Sequence, residues 1–131
     1  SYYFIEEAKQ FGKISTVMSN MIDRGNEYSD NDYIAQIKLQ ENLTTKMNKL
    51  MQDYDIDYII TPSTASAAPK IGFHELEDSA LIWTYFGMPS VSLPVFQNSL
   101  LNLPYGLQIV GSRYDDLSLL KFVKVFDERI N

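Results

Sequence analysis

The feature of this sequence that most constrains its fold is the proline-punctuated stretch of residues 86–111, FGMPSVSLPVFQNSLLNLPYGLQIVG. It predicts two short apolar strands, residues 90–95 and 105–110, separated by a polar loop at residues 97–99. Because proline cannot donate a hydrogen bond to a sheet ladder, the prolines of this stretch are expected at strand starts, strand ends or sheet edges. The stretch therefore indicates a sheet, and alone it indicates no function.

Two amphipathic helices are predicted ahead of these strands. Apolar side chains recur at three- and four-residue spacing over residues 4–22, which predicts one helix that ends at Gly25. A second helix is predicted from about residue 31 to residue 53. Ser29 and Asp30 are both suitable N-caps for it.

The remaining elements complete an α/β pattern. Residues 58–61 form an apolar run that Pro62 ends, and a run without alternation predicts a strand buried on both faces, as inside a parallel or mixed sheet. A third helix is predicted over residues 75–86, and a last helix begins after Asp115 or Asp116. The buried stripe predicted for the last helix consists of Leu117, Leu120, Val123, Phe126 and Ile130.

The composition is that of one folded domain or of part of one. The 131 residues suffice for a single core, and 45% of them are hydrophobic, which argues against disorder. A net charge of −6, from 17 acidic and 11 basic residues, argues against direct nucleic-acid binding. The chain starts with Ser1 inside a helical pattern, so we expect residues 1–131 to be a single domain or a fragment of a longer protein.

Residue counts argue against several classes of site. The absence of cysteine removes disulfides and thiolate ligands, and the single histidine, His74, removes a multi-histidine metal site. Asp53, Asp55 and Asp57 alternate like calcium ligands but lack the glycine and distal glutamate of a calcium loop. We therefore expect no metal and no cofactor.

No apolar run approaches the roughly 20 residues of a membrane span, and the N-terminus lacks a signal pattern, so we expect a cytoplasmic protein with no membrane partner.

The residues present do not assemble a catalytic motif. Ser63, Ser66 and Lys70 are close in sequence, but the position three residues before Lys70, where a serine–lysine motif needs serine, is Ala67. Small hydroxyl residues in turns usually bond to the local backbone. A Ser-His-Asp triad would depend on His74, whose position favours a surface or helix-entry residue. The sequence therefore assigns no catalytic residue.

Three segments in order resemble the amidase signature family. Residues 57–62, DYIITP, residues 87–94, GMPSVSLP, and residues 103–111, LPYGLQIVG, are similar to strands and turns of that family. An Asp-rich helix start and a leucine-rich helix follow, as in family members. The resemblance covers about residues 20–130.

This resemblance implies the C-terminal part of the amidase signature fold, an α/β architecture in which strands of a mixed β-sheet are flanked by α-helices. It also implies an enzyme that hydrolyses carboxylic amide C–N bonds through an acyl-enzyme, using a nucleophilic serine, a second serine and a lysine. Those three residues belong to the N-terminal part of family members, and their glycine-serine-rich signature is missing here. We therefore expect this chain to be inactive alone.

The resemblance further implies a substrate pocket for a small amide. It is formed by the loop after the first strand and by the third helix, and its predicted residues are Thr61, Ser63, Thr64, Glu77, Asp78, Trp83 and Tyr85. Trp83 and Tyr85 are alternatively core residues, since aromatic side chains at helical spacing usually are.

Two other functions remain open. One is the glutamine-hydrolysing amidase subunit of a tRNA-dependent amidotransferase, but Thr84 and Phe86 replace the asparagine and alanine of that subfamily, which favours a less polar substrate. Its acidic anchor would be Glu77 or Asp78. The other is a non-catalytic binding or scaffolding piece. A fragment that lacks a covering half is expected to expose an apolar patch and to self-associate.

Overall fold

The computed structural model describes residues 4–10, 12–73 and 80–130. Its internal contacts divide the chain into two units, Ser1–Leu39 and Gln40–Asn131. Of the described helices, none is both long and apolar enough to cross a membrane.

The described residues before position 27 form two helices where the sequence predicted one. Helix α1 spans Ile5–Ala8 and helix α2 spans Thr16–Asn26. They are separate because Gly12 has a positive φ of 82°, which no helix accommodates, and because Ser15 is extended and caps α2 by accepting a hydrogen bond from the Met18 N–H at 3.2 Å. The prediction that Gly25 ends a helix was also wrong, since it lies inside α2.

Helix α3 spans Asp30–Asp53 and confirms the second predicted helix. Ser29 is its cap: the Asp32 N–H donates to Ser29 Oγ at 3.2 Å, while the Ser29 N–H and hydroxyl donate to the Asp32 carboxylate at 3.0 and 2.6 Å. The hydrogen bonds from the Ser29 hydroxyl and N–H hold the pKa of Asp32 below its ordinary value, because they stabilise the charged carboxylate.

Three strands form an antiparallel sheet in the order β1-β3-β2. Strand β1 spans Ile59–Pro62, β2 spans Ser90–Asn98 and β3 spans Leu103–Val110. The α/β class is confirmed, and all three predicted strands exist. The expectation that the first strand is buried on both faces was wrong, because β1 is an edge strand in this sheet and Ile60 is 52% exposed.

Strands β2 and β3 extend beyond the predicted segments toward their shared turn. Proline lies where a sheet tolerates it: Pro94 sits in an irregularity of the edge strand, between the pairs Leu93↔Leu107 and Phe96↔Tyr105. Pro104 pairs with β2, whereas β1 pairs with β3 no further toward that end than Leu107. Neither ring therefore interrupts a ladder that is paired on both sides.

Helices pack on both faces of the sheet. Helix α4 spans Ala80–Phe86, and its Trp83 packs with Met51 of α3, Met88 and Val110 on one face. Helix α5 spans Asp116–Ile130 and covers the other face, where Leu119 and Val123 pack on Ile109. The two clusters use neighbouring residues of β3, because successive side chains of a strand point to opposite faces.

The buried face of α5 differs from the predicted stripe. Val123 is buried and Phe126 is half-buried, as predicted, but Leu117, Leu120 and Ile130 are exposed, at 74%, 55% and 41%. The residues that complete the stripe are Leu119 and Phe122, which share a helical face with Val123 and Phe126. Apolar spacing alone did not identify this face, since α5 carries apolar residues on two sides.

Two leucines of α5 provide a test of this orientation. Leu119→Ala should lower the free energy of unfolding by about 2–5 kcal/mol, because it leaves a cavity at a side chain that is 1% exposed. Leu117→Ala removes the same atoms from an exposed site and should change it by less than about 0.5 kcal/mol. Urea denaturation of both variants measures the difference, and equal losses would contradict the orientation of α5.

Tyr58 joins the start of β1 to α5. Its ring stacks on Phe122 with centroids 4.2 Å apart, and its hydroxyl donates to the Ser118 carbonyl at 3.2 Å. Desolvation raises the pKa of the phenol above its ordinary value of 10.0, and the carboxylates of Asp115 and Asp57 raise it further. The native state therefore holds this proton more tightly than the unfolded chain does.

The sign of the resulting pH dependence follows from linkage. The stabilisation from Tyr58 is complete below the unfolded pKa of about 10 and is lost as pH rises through the higher native pKa. Tyr58→Phe keeps the ring stack and removes the ionisable group, so its unfolding free energy should fall less steeply above pH 10.0 than that of the parent. Denaturant titrations at several pH values compare the slopes, and parallel slopes would refute the shift.

Candidate functional site

One face of the sheet changes from apolar to polar along its length. Beyond Val110 and its neighbour Ile59, the next cross-strand row consists of Thr61, Gln108 and Ser92. The Thr61 hydroxyl donates to Gln108 Oε1 at 3.2 Å, and Gln108 is 7% exposed. This row places polar side chains directly beside the core that α3 and α4 cover.

The chain then brings a second hydroxyl to this row. After β1, the Ser63 N–H donates to the Gly106 carbonyl at 2.8 Å, which continues the pairing with β3 for one more step. The Ser63 and Ser92 hydroxyls form a short hydrogen bond of 2.5 Å with each other. We call Thr61, Ser63, Ser92 and Gln108 the polar cluster.

Gly106 makes this arrangement possible. A Cβ built on Gly106 would collide with the hydroxyl oxygens of Ser63 and Ser92, and it would lie 3.1 Å from Ser63 Cβ. Its φ is not positive, so the requirement for glycine is steric, not conformational. At Gly106, the two serine hydroxyls therefore lie directly over the backbone of β3.

Two grooves open beside the polar cluster. The proximal groove, about 390 Å³, contains Ser63, Ser92 and Gly106, and the distal groove, about 720 Å³, reaches the turn between β2 and β3. Both grooves share the loop residues 64–67 and Tyr105. The remaining lining residues are Pro62, Ala68, Pro69, Pro94, Gln97, Asn98, Ser99, Leu100 and Pro104.

The loop that separates the grooves is held by its own hydroxyls. Thr64 Oγ1 donates to the Ser66 carbonyl at 2.8 Å, and Ser66 Oγ donates to the Ala67 carbonyl at 3.0 Å. This is the local backbone bonding expected of small hydroxyl residues in a turn. Lys70 shares a third hollow, about 350 Å³, with Ser66, whose hydroxyl proton is already used by Ala67.

The described residues of the two grooves offer hydrogen bonds but no proton acceptor suited to catalysis. Their described lining contains no Lys, His, Asp or Glu. A serine hydroxyl attacks a carbonyl only when a neighbouring base takes its proton. In the described part of the chain, no three acidic or histidine side chains converge to hold a metal ion either. The site can therefore bind a polar group, and its described lining contains no group that would activate either serine.

The predicted pocket residues do not all meet here. Ser63 and Thr64 line the proximal groove, and Thr61 lies in the polar cluster. Trp83 is 7% exposed within the core, which is the alternative that the sequence left open. Tyr85 is 36% exposed and packs edge-on against Phe86, away from both grooves. Glu77, Asp78 and His74 lie outside the described residues.

Sequence reasoning missed Ser92, Gly106 and Tyr105. Ser92 and Gly106 belong to the motifs that carry the family resemblance, but nothing in their own spacing marks them as neighbours of Ser63. The signal lies in strand pairing. Once β2 and β3 are aligned through Ser92↔Gln108, alternation places Gly106 and Ser92 on one face.

Gly106→Ala tests the close approach of the two serines. The added methyl should lower the free energy of unfolding by about 1–3 kcal/mol, because it overpacks a paired strand. Ser92→Ala in the same chain removes one of the colliding oxygens and should restore part of the loss. Thermal or urea unfolding of the single and double variants measures this coupling, and strictly additive losses would contradict the packing.

The chain is similar to known proteins in family, sequence and fold. The Amidase family model matches residues 3–120. A glutamyl-tRNA(Gln) amidotransferase subunit of Pseudothermotoga lettingae is 31% identical over 98 residues, covering 70% of this chain and 20% of the relative. A fatty acid amide hydrolase of Oryza sativa subsp. indica is 25% identical over 114 residues, covering 77% of this chain and 18% of the relative.

Two solved structures share the fold. 6-Aminohexanoate cyclic dimer hydrolase superposes with a TM-score of 0.64 at 21% identity, over 84% of this chain and 27% of that one. A glutamyl-tRNA(Gln) amidotransferase subunit of Thermotoga maritima superposes with a TM-score of 0.55 at 23% identity, over 88% of this chain and 28% of that one. The chain thus spans about a fifth of the length of the curated relatives that it matches. On the family match over residues 3–120, this chain belongs to the Amidase family.

Proposed function

We propose that this chain is the C-terminal, substrate-binding segment of an amidase that hydrolyses carboxylic amide C–N bonds. The observation that carries the proposal is the family match over residues 3–120, together with a groove whose described lining contains hydroxyls and no Lys, His, Asp or Glu. The nucleophilic serine, the second serine and the lysine of the reaction belong to chain outside these residues. The α/β segment contributes a sheet, a pocket wall and hydrogen-bonding groups.

The division of roles follows from the chemistry. In the proposed reaction, a serine oxygen attacks the amide carbonyl, the C–N bond breaks and the leaving amine takes a proton. Water then hydrolyses the acyl-enzyme ester to a carboxylic acid. Each step requires a base that accepts a proton and later returns it. The described lining of the two grooves supplies none, which supports a binding role for Ser63, Thr64 and Ser92.

The polar cluster suits an uncharged hydrogen-bonding group. Each serine hydroxyl is both donor and acceptor, and the Ser63–Ser92 bond uses one proton of the pair, so one hydroxyl remains able to donate. The missing side chain at Gly106 leaves the space in which the two serine oxygens lie over the strand backbone. Thr61 and Gln108 help to position Ser63, because their hydrogen bond joins β1 to β3 two residues before Ser63.

The amidotransferase alternative rests on the relatives. Several are named as subunits of glutamyl-tRNA(Gln) amidotransferase, so a glutamine-hydrolysing component of a larger assembly is a second candidate function. The scaffolding alternative and self-association of the isolated chain both stay predictions. Exposed apolar side chains such as Leu81, Leu117 and Leu120 are the groups that an association would cover.

Activity assays of the chain and of the full-length protein test the proposal. The purified 131-residue chain should hydrolyse no simple amide, because the described lining of its grooves contains no base. The full-length protein should release ammonia from the same amides. Release is measured by a coupled ammonia assay, with the heat-denatured protein as blank.

Variants distinguish the alternatives. Hydrolysis by the isolated chain that Ser63→Ala or Ser66→Ala abolishes would overturn the assignment of catalysis to other residues. A full-length protein that hydrolyses glutamine and no other amide would favour the amidotransferase component. A full-length protein inactive on every amide tested would favour the scaffold.

A further inference from the structure

The turn between β2 and β3 holds the side chain of Asn98 in a defined position. The Asn98 Oδ1 atom accepts two backbone hydrogen bonds, from the Leu100 N–H at 3.0 Å and from the Leu101 N–H at 2.9 Å. The Asn102 N–H donates to the Asn98 carbonyl at 2.8 Å and closes the turn. Because both donors to Oδ1 follow Ser99 in the chain, the Asn98 carboxamide is folded back over the peptide bond that joins it to Ser99.

An asparagine in this position can react with its own backbone. The nitrogen of the following residue attacks the carboxamide carbon, Cγ, and a negative charge develops on Oδ1. The Cγ–Nδ2 bond then breaks, and ammonia leaves with the proton that the attacking nitrogen loses, which gives a five-membered succinimide. Water opens this ring at either of its two carbonyls, so the products are aspartate and isoaspartate. Water is the only co-reactant, and nothing is oxidised or reduced.

The turn offers this reaction two advantages. The Leu100 and Leu101 N–H groups face the atom on which the negative charge develops, as the donors of an oxyanion hole do. Among the described residues, none accepts a hydrogen bond from the Ser99 N–H, so no helix or ladder holds the attacking nitrogen. Ser99 is also exposed, and its side chain is small, so water reaches the site and little crowds the nitrogen.

The other asparagines in the described ranges lack this combination. Five of them lie in α2 and α3, where the following N–H is bound within the helix or at its end: Asn20, Asn26, Asn31, Asn42 and Asn48. Asn102 is followed by Leu103, a larger residue at the start of the paired strand β3. The Asn102 Oδ1 atom accepts a side-chain hydrogen bond, from Gln97 Nε2 at 2.6 Å, in place of two backbone donors.

We propose that Asn98 is a site of spontaneous deamidation, in which the Ser99 nitrogen attacks Asn98 Cγ while the Leu100 and Leu101 N–H groups stabilise the oxyanion. This reaction goes beyond the proposed function and does not depend on it. Isoaspartate adds one carbon atom to the backbone, so it disrupts the pair Asn98↔Leu103 at the end of the sheet. Either product also places a carboxylate in the distal groove, whose lining includes Asn98.

Ageing of the full-length protein tests the proposal. The protein is incubated at neutral pH and physiological temperature, digested, and analysed by mass spectrometry after chromatography that resolves isoaspartate. A linear peptide with the sequence of residues 95–104 gives the rate without a folded hairpin. Deamidation at position 98 should be about fivefold faster in the protein than in the peptide, because the two donors at Oδ1 are in place only in the hairpin. A rate in the protein equal to or below that of the peptide, or faster deamidation at Asn102, would overturn the proposal.

A matched pair of variants tests the attacking atom. Ser99→Val places a branched side chain beside the nitrogen, whereas Ser99→Ala keeps the side chain small. Both changes lie at an exposed turn position, so the fold should persist in each. Deamidation should be at least about threefold slower in Ser99→Val than in Ser99→Ala, because the branched carbon crowds the nitrogen. Isoaspartate should accompany aspartate in both variants. Equal rates, or aspartate without isoaspartate, would indicate direct hydrolysis by water and overturn the cyclisation.

Discussion

The pairing of β3 with both β1 and β2 is the interaction on which the rest of the second unit, Gln40–Asn131, depends. Ile109 and Val110 are fully buried, and they point to opposite faces of the sheet. One faces α5, and the other faces the contact between α3 and α4. Because a single strand supplies both clusters, a one-residue slip of its register would exchange their side chains and dismantle both cores.

The same register creates the candidate site. Val110, Gln108 and Gly106 share one face of β3. Along this face, Val110 packs beside Trp83, Gln108 is polar, and Gly106 carries no side chain. The polar cluster is thus a continuation of the core and has the rigidity of a paired strand beneath it. A binding surface built on a sheet keeps its geometry better than one built on loops alone, which suits the binding role proposed for Ser63, Thr64 and Ser92.

The sequence predicted much of the fold and part of the site. Helix α3 and the three strands follow from strong local signals, namely the Ser29 cap, apolar periodicity and proline at strand boundaries. The break between α1 and α2 was missed because Gly12 and Ser15 outweigh continuous apolar spacing there. For the site, Ser63 and Thr64 were predicted from the family resemblance and line the proximal groove, whereas Trp83 lies in the core.

The sequence by itself determined the family, the α/β class and the absence of cysteine chemistry, because each depends only on local motifs or on residue counts. Only the tertiary structure decided which face of α5 is buried and which hydroxyls meet. Leu117 and Leu119 are equally apolar, and only contact with Ile109 distinguishes them. Ser63 and Ser92 are 29 residues apart, and only the pairing of both β1 and β2 with β3 brings their oxygens together above Gly106.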